Sequence, residues 1–414
     1  MRALLFLLIL AIAALAVADQ RPVPEFEAGR RAYLALGCGE CHVAPALGDV
    51  GRPQGTRRAG PVLDGSQPWR SREWQLAHLY DPRSILPGSA MPSYTHLFEA
   101  DPGAEDVVTI VDRFGNGDGI VTREEYEERG GEEWETVVGS LDRGDGVISL
   151  ADVAPRPTAR IEALLDLLEG LESPDPPAFV RAPAPSGDPS VQRGRNVHLR
   201  YCAGCHGETG NGAGPAAWFF RNHPPRNFRR GEYKFRSTPI GAAPTDADLF
   251  ESIRNGVGSS MPAWRELSDK QIWDLVGWLK SLAPMDEEPP IQMGRSPVPF
   301  DAASVALGAM VYREFKCDTC HGDEGRGDGQ AAEQTRGSLG EINRPADYTR
   351  GVKHLKTGPD PGRIVRTFLT GMQGTPMPSF ASSFATAASA PPDEAPWHLA
   401  HFILFQAGVP VPER

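Results

Sequence analysis

The chain has 414 residues, among them 45 Gly and 39 Pro, with 23% charged residues and a formal net charge of −12. That length exceeds one ordinary domain, and so much Gly and Pro implies long irregular segments between helices. The acidic balance excludes a nucleic-acid binder, because phosphate binding needs a basic surface, and a hydrophobic fraction of 40% excludes a polytopic membrane protein. The imbalance is local. Residues 99–152 hold 16 acidic residues against 4 Arg and no Lys, which leaves 38 basic and 38 acidic residues in the remainder.

At the N-terminus, Arg2 precedes an apolar run from Ala3 to Ala18, and Ala16-Val17-Ala18 fits the small-x-small cleavage rule. Residues 1–18 read as a secretory signal peptide, since the run falls short of the roughly 20 residues a spanning helix needs. The expected product is periplasmic or otherwise exported, and it is membrane-anchored if the segment is retained.

The six cysteines occur as Cys38-Gly-Glu-Cys41-His42, Cys202-Ala-Gly-Cys205-His206 and Cys317-Asp-Thr-Cys320-His321. Each is C-x-x-C-H, the attachment signature of a c-type haem: the thiols of Cys38, Cys41, Cys202, Cys205, Cys317 and Cys320 would bond the haem vinyl groups, and His42, His206 and His321 would be the proximal iron ligands. A redox-active C-x-x-C or a partial zinc site are the rival readings. Three copies that consume every cysteine favour haem and leave none for a disulfide.

A Met-Pro dipeptide follows each motif, at Met91-Pro92, Met261-Pro262 and Met377-Pro378, with His-to-Met intervals of 49, 55 and 56 residues. Pro fixes the backbone and removes a donor, as suits an extended loop crossing a haem face, so Met91, Met261 and Met377 are the expected distal iron ligands. The rival is ordinary core packing of Met. Met372 competes with Met377 in the third loop, and His96 is a substitute for Met91. His/Met ligation raises the potential and closes both axial positions, which favours electron transfer over substrate chemistry.

Internal repetition divides the remainder. A helix with a glycine precedes each motif (Gly29, Gly194, Gly308), and Tyr33 and Tyr312 follow their glycines by four residues where position 198 holds His. An apolar-periodic helix closes each unit, beginning near Ile161, Ile272 and Trp397. The expected organisation is domain 1 over 19–173 with an insert at 99–155, a Pro-rich linker 174–189, domain 2 over 190–284, a linker 285–300, and domain 3 over 301–414. The linkers should act as semi-rigid spacers. "CHGETGNGAG" parallels "CHGDEGRGDG", and "PPRNFRRG" parallels "RPADYTRG". Arg226, Arg229, Arg230, Arg344 and Arg350 are candidates to pair with haem propionates. These features resemble the class I cytochrome c domain, which implies a mainly α fold of three such domains in tandem. The first unit, "GRRAYLALGCGECH" with "LAHLYDPRS" and "MPSY", also resembles the mono-haem subunit of cbb-type haem–copper oxidases.

Within the acidic window, "DRFGNGDGIVTREEY" and "DRGDGVISLADV" resemble EF-hand loops, with a helical segment expected between them. The resemblance implies calcium ligands at Asp112, Asn116, Asp118, Thr122 and Glu125 in one loop, and at Asp142, Asp145, Ser149 and Asp152 in the other. Phe114 and Leu141 stand where the first ligand belongs, so a degenerate pair kept as an acidic docking surface is the alternative. No nucleophile or general base competes with the haem motifs, so the pattern favours an electron carrier or an oxidoreductase subunit over a stand-alone enzyme. The expectation is an exported triheme cytochrome with three haem c groups, calcium as a further cofactor, and redox protein partners but no nucleic acid. The alternatives are a subunit of a membrane respiratory complex, oxidase-like or quinol-oxidising, and a haem enzyme such as a peroxidase.

Overall fold

The computed structural model describes residues 23–47, 60–63, 70–99, 107–111, 117–122, 147–149, 156–171, 178–220, 224–258, 261–337 and 343–412. The expected signal peptide lies outside them. The fold is mainly helical. The described helices are α1 (Val23–Ala35), α2 (Arg72–Tyr80), α3 (Pro82–Ile85), α4 (Ala159–Leu171), α5 (Val191–Tyr201), α6 (Ala203–His206), α7 (Asp246–Asn255), α8 (Asp269–Leu282), α9 (Ala302–Glu314), α10 (Asp318–His321), α11 (Pro361–Thr370), α12 (Ala381–Phe384) and α13 (Ala395–Gln406). Among the described residues no helix is long and apolar enough to cross a membrane.

The chain divides into two compact units, Met1–Gln67 with Pro157–Glu172, and Pro68–Arg156 with Ser173–Arg414. The division falls inside the expected first domain, with His42 in one unit and Met91 in the other. In the smaller unit α1 packs on α4, which buries Ile161, Leu164, Leu165 and Leu167 on one helical face. A side chain at Gly29 would strike the Ala163 carbonyl and come within 2.6 Å of Leu167 Cβ.

In the larger unit α5 packs on α8 and α9 on α13, each with the same contact at its glycine. A side chain at Gly194 would strike the Asp274 carbonyl and lie 2.8 Å from Trp278 Cβ, and one at Gly308 would strike the His398 carbonyl and lie 2.8 Å from Phe402 Cβ. The partner residues are four apart on the facing helix each time, one turn of α-helix. Only a residue without Cβ lets the backbones come this close. Around these crossings Phe250, Trp273, Trp278 and Leu279 form one core, and Tyr312, Phe368, Phe402 and Ile403 form another.

Caps fix where the helices begin. Thr245 with Asp248 and Ser268 with Gln271 form capping boxes at α7 and α8. Arg193 donates to both carboxylate oxygens of the buried Asp274, at 2.7 and 2.8 Å, and ties α5 to α8. This pairing holds the Asp274 carboxyl below its ordinary range.

The Pro-rich segments are laid along the second helical module rather than left as spacers. Val180 N–H donates to Asn255 Oδ1 at 2.8 Å, and Asn255 Nδ2 donates back to the Val180 carbonyl at 2.9 Å. In the other segment Ile291 N–H donates to the Ser237 carbonyl at 2.7 Å, and the Asp286 carbonyl accepts from Ala243 N–H at 2.9 Å.

In the acidic window the described backbone is an antiparallel three-stranded sheet of β1 (Val107–Val111), β2 (Gly117–Thr122) and β3 (Val147–Ser149), with β1 central. The β1–β2 register slips between Ile110 and Val111, which leaves Asp118 as the extra residue of a bulge. Asp118, Thr122 and Ser149 therefore sit on strands that each pair with β1 and not with each other. Asp112, Asn116, Glu125, Asp142, Asp145, Asp152 and the segment expected to be helical between the loops lie outside the described residues.

The crossings set a prediction. Gly308→Val should lower the urea midpoint by the equivalent of about 1–3 kcal/mol, the usual cost of overpacking. Gly294→Val, at a position with nothing within 4 Å of an added Cβ, should leave it unchanged.

Candidate haem-binding sites

The three C-x-x-C-H histidines share one constraint. His42 Nδ1 lies 3.0 Å from the Pro61 carbonyl, His206 Nδ1 3.0 Å from the Arg226 carbonyl, and His321 Nδ1 3.1 Å from the Ala346 carbonyl. A carbonyl can only accept, so each Nδ1 carries the proton and each Nε2 is the unprotonated nitrogen, the one able to ligate a metal. At His321 the Tyr348 hydroxyl lies 3.2 Å from that Nε2. Burial pushes the His206 imidazole down to about 4 and lowers that of His321, so both are neutral at pH 7.

The helix preceding each motif fixes the carbonyls around it. Tyr33 OH donates to the His42 carbonyl at 3.1 Å, and Tyr312 OH donates to the Gly322 carbonyl at 2.6 Å. His198, at the corresponding place in α5, makes the equivalent bond from Nε2 to the Gly207 carbonyl at 2.6 Å and lies tilted against Trp278, ring centroids 4.1 Å apart. The break in the sequence pattern is thus a substitution of one donor for another. Gly207 and Gly322 adopt φ of +74° and +78°, a conformation that only glycine takes without strain.

Sequence reasoning missed a second aromatic in the repeat. Phe228 stacks on His206 at 4.3 Å and 22°, and Tyr348 on His321 at 4.9 Å and 19°. Their backbone N–H groups donate to Gly210 and Gly325, each at 2.7 Å. The parallel of "NFRRG" with "DYTRG" carried the signal.

Each of these histidines opens onto an apolar cleft. Cys202, Cys205, His206 and Met261 line one with about 1290 Å³ of empty space. Cys317, Cys320, His321 and Met377 line another of about 960 Å³. Burial pushes the Cys202, Cys205 and Cys317 thiols up to about 12, the opposite of the lowered values that reactive thiolates need. Two thiols, an imidazole with its Nδ1 held by a carbonyl, and a thioether lining one apolar cleft are the donor set of a covalent haem. The Tyr233 hydroxyl and Trp74 Nε1, buried on the first cleft's wall without a protein partner, are donors left for a polar group of the occupant. Of the candidate arginines, Arg226 and Arg344 line these clefts, and Arg344 also pairs with Glu333 at 2.9 Å.

Met372 and Met377 both line the third module's cleft. Met372 N–H donates to the Met377 carbonyl at 3.1 Å, just as Val257 N–H donates to the Met261 carbonyl at 2.9 Å. Met372 therefore occupies the place of Val257, and Met377 that of Met261.

The Met91 loop is held by the residues that made its motif distinctive. Asp81 caps α3 through Arg83 N–H at 3.2 Å and accepts from Ser93 Oγ at 3.0 Å, while Arg83 Nη2 donates to Ser93 Oγ at 2.6 Å. Tyr94 N–H donates to the Leu79 carbonyl at 3.0 Å. Two residues from this stretch, Trp74 and Ile85, line the Cys202–Cys205 cleft. His96 is exposed on the turn Thr95–Leu97, its ring tilted to that of Tyr94 with centroids 6.3 Å apart. Among the described residues no group of three or more His, Cys, Asp or Glu is arranged to hold a metal ion by itself.

Two families match parts of the chain. "Cytochrome C oxidase, cbb3-type, subunit III" matches residues 189–279, and "Cytochrome C oxidase, mono-heme subunit/FixO" matches residues 51–124. The first match takes in Cys202, Cys205, His206 and Met261, and the second Met91. A chain of the reducing HAO-like protein complex of Kuenenia stuttgartiensis is 36% identical over 53% of this chain and 97% of that chain, with a TM-score of 0.48. No curated protein matches the chain.

Two outcomes follow from the geometry. Met377→Ala should remove one haem's share of the weak near-red Met–iron absorption band, and Met372→Ala should leave the band intact. The acid sensitivity of the fold should depend on His198. Burial pushes its imidazole from 6.5 down to about 4, so the unfolded chain binds a proton that the folded chain refuses. Stability is then complete above pH 6.5 and falls by up to about 3 kcal/mol as the pH drops to 4. His198→Tyr, which supplies the hydroxyl used at Tyr312, should lessen the fall of the urea midpoints over that window, leaving the share of His354, whose imidazole burial also lowers to about 4.

Proposed function

Because the chain is a c-type cytochrome with domains of the cbb3-oxidase kind, we propose that it is an exported triheme carrier that passes electrons between redox protein partners. The observation that carries the reading is the repeated Nδ1–H bond to a backbone carbonyl at His42, His206 and His321. A c-type haem supplies a reversible one-electron iron couple on two thioether bonds. The cysteines would anchor it, the histidines would present Nε2, and Met261 and Met377, which line the same clefts, would offer their thioethers to its iron. Met91 serves the first motif in the same proposal. Protein ligands on both sides of the group would favour electron transfer over substrate binding. The apolar cleft walls exclude water and favour the less charged, reduced state.

The FixO match favours a second reading, in which the first module docks the chain onto a membrane respiratory complex. Purification from solubilised membranes separates the two: membrane subunits that stay with the chain through high salt support the complex. The acidic window is assigned to calcium within the same proposal, and calorimetric titration of chelator-treated protein at millimolar calcium tests it, the absence of heat overturning that part.

The haem count has a direct measurement. The intact mass of protein made in a host that matures c-type cytochromes should exceed the mature polypeptide by three haem groups. Cys317→Ser with Cys320→Ser should lower the count to two and leave two Met–iron signals.

A further inference from the structure

The two clefts of the larger unit share a wall. Lys234 and Lys356 line both of them, and Phe235 lines the first together with a smaller pocket against His321, Met372 and Met377. Each methionine loop also lies against the other module. A side chain at Gly258, three residues before Met261, would meet Lys356 Cα at 3.2 Å, and one at Gly374, three before Met377, would meet Arg226 Nη1 at 2.6 Å. The junction is tied by the buried Arg236, whose Nη2 donates to the Thr370 carbonyl at 3.3 Å, and by Arg366 and Asp248 at 3.4 Å.

The shared wall is cationic. Burial, and after it the charge of Arg226, lowers the Lys356 ammonium to about 8, because a cation between apolar clefts gives up hydration and meets a like charge. An anion entering either cleft offsets both costs. A haem carries two propionate carboxylates, and a carboxylate paired with a partly desolvated ammonium forms a charge-assisted hydrogen bond.

We propose that Lys356, assisted by Lys234, is shared by the propionates of the haems in both clefts and so links their reduction potentials. The proposal rests on the reading that both clefts hold haem. A cation beside an iron centre favours its less positive, reduced state, so a single shared lysine raises two potentials at once. Arg226 and Arg344, each on one cleft only, are placed to act on a single haem.

The experiment is a spectroelectrochemical titration of the full-length holoprotein, wild type against Lys356→Met and Lys356→Arg. Lys356→Met keeps the length of the side chain and removes its charge. Two of three midpoints should fall together while the other stays, and Lys356→Arg should return both towards the wild-type values. A shift of one midpoint, of none or of all three overturns the proposal, as does an arginine variant that behaves like the methionine one. If Lys356→Met loses haem, Lys234→Met is titrated against the same outcomes. Intact mass keeps the two levels apart: fewer than three haems on the wild-type chain overturns the reading beneath, whereas three haems without the paired shift overturns only the shared lysine.

Discussion

The close crossing of two helices at a glycine is the constraint on which the rest depends. At Gly29, Gly194 and Gly308 the facing helix comes so near that an added Cβ would strike its backbone. Each glycine-bearing helix runs directly into the cysteine motif, so the crossing decides where the thiols and the imidazole lie. In the larger unit the second helix also supplies cleft walls, through Leu275 and Leu279 in one module and Leu399 and Ile403 in the other. A backbone that cannot slide past its partner makes a stiff wall, and a stiff wall holds axial ligands in place when the iron changes charge.

The imidazole tautomer is settled one layer further out. Pro61, Arg226 and Ala346 offer their carbonyls to Nδ1 from loops 19 to 25 residues downstream of the histidine. In the larger unit those loops are pinned in turn, because Phe228 and Tyr348 donate backbone N–H groups to the glycine turns of the motifs and lay their rings on the imidazoles. Helix crossing, glycine turn and aromatic ring thus converge on one nitrogen lone pair. The larger unit adds connections between modules. Trp74 and Ile85, from the stretch that carries Met91, line the Cys202–Cys205 cleft, and Lys234 and Lys356 join that cleft to the next. Neighbouring redox sites joined by shared walls are what a chain of electron transfers requires.

Much of the site was legible in the residues because its chemistry is local. Two thiols and an imidazole within five consecutive positions need no tertiary information, and the Met-Pro dipeptides stand out among only eight methionines. Departures from the repeat were harder to read. His198 looked like a lapse from the Tyr33 and Tyr312 pattern, yet it makes the same bond to a carbonyl from a ring nitrogen. The Pro-rich segments looked like spacers, since nothing in their composition shows the Asn255 amide or the Ser237 carbonyl that bind them. The extended β1 strand just ahead of the first candidate calcium loop also went unread, because a short, mostly apolar run is ambiguous without its partners.

The sequence by itself determined the covalent chemistry, the mainly helical class and the confinement of the net charge to residues 99–152, because each depends on residue type and short spacing. Only the tertiary structure decided which nitrogen of each haem-motif histidine meets a backbone carbonyl, that Met372 pairs with Met377 as Val257 pairs with Met261, and that Lys234 and Lys356 line two clefts. Those outcomes depend on loop geometry and on contacts between residues far apart in sequence, and these exist only once the helices have crossed and the loops have closed over them.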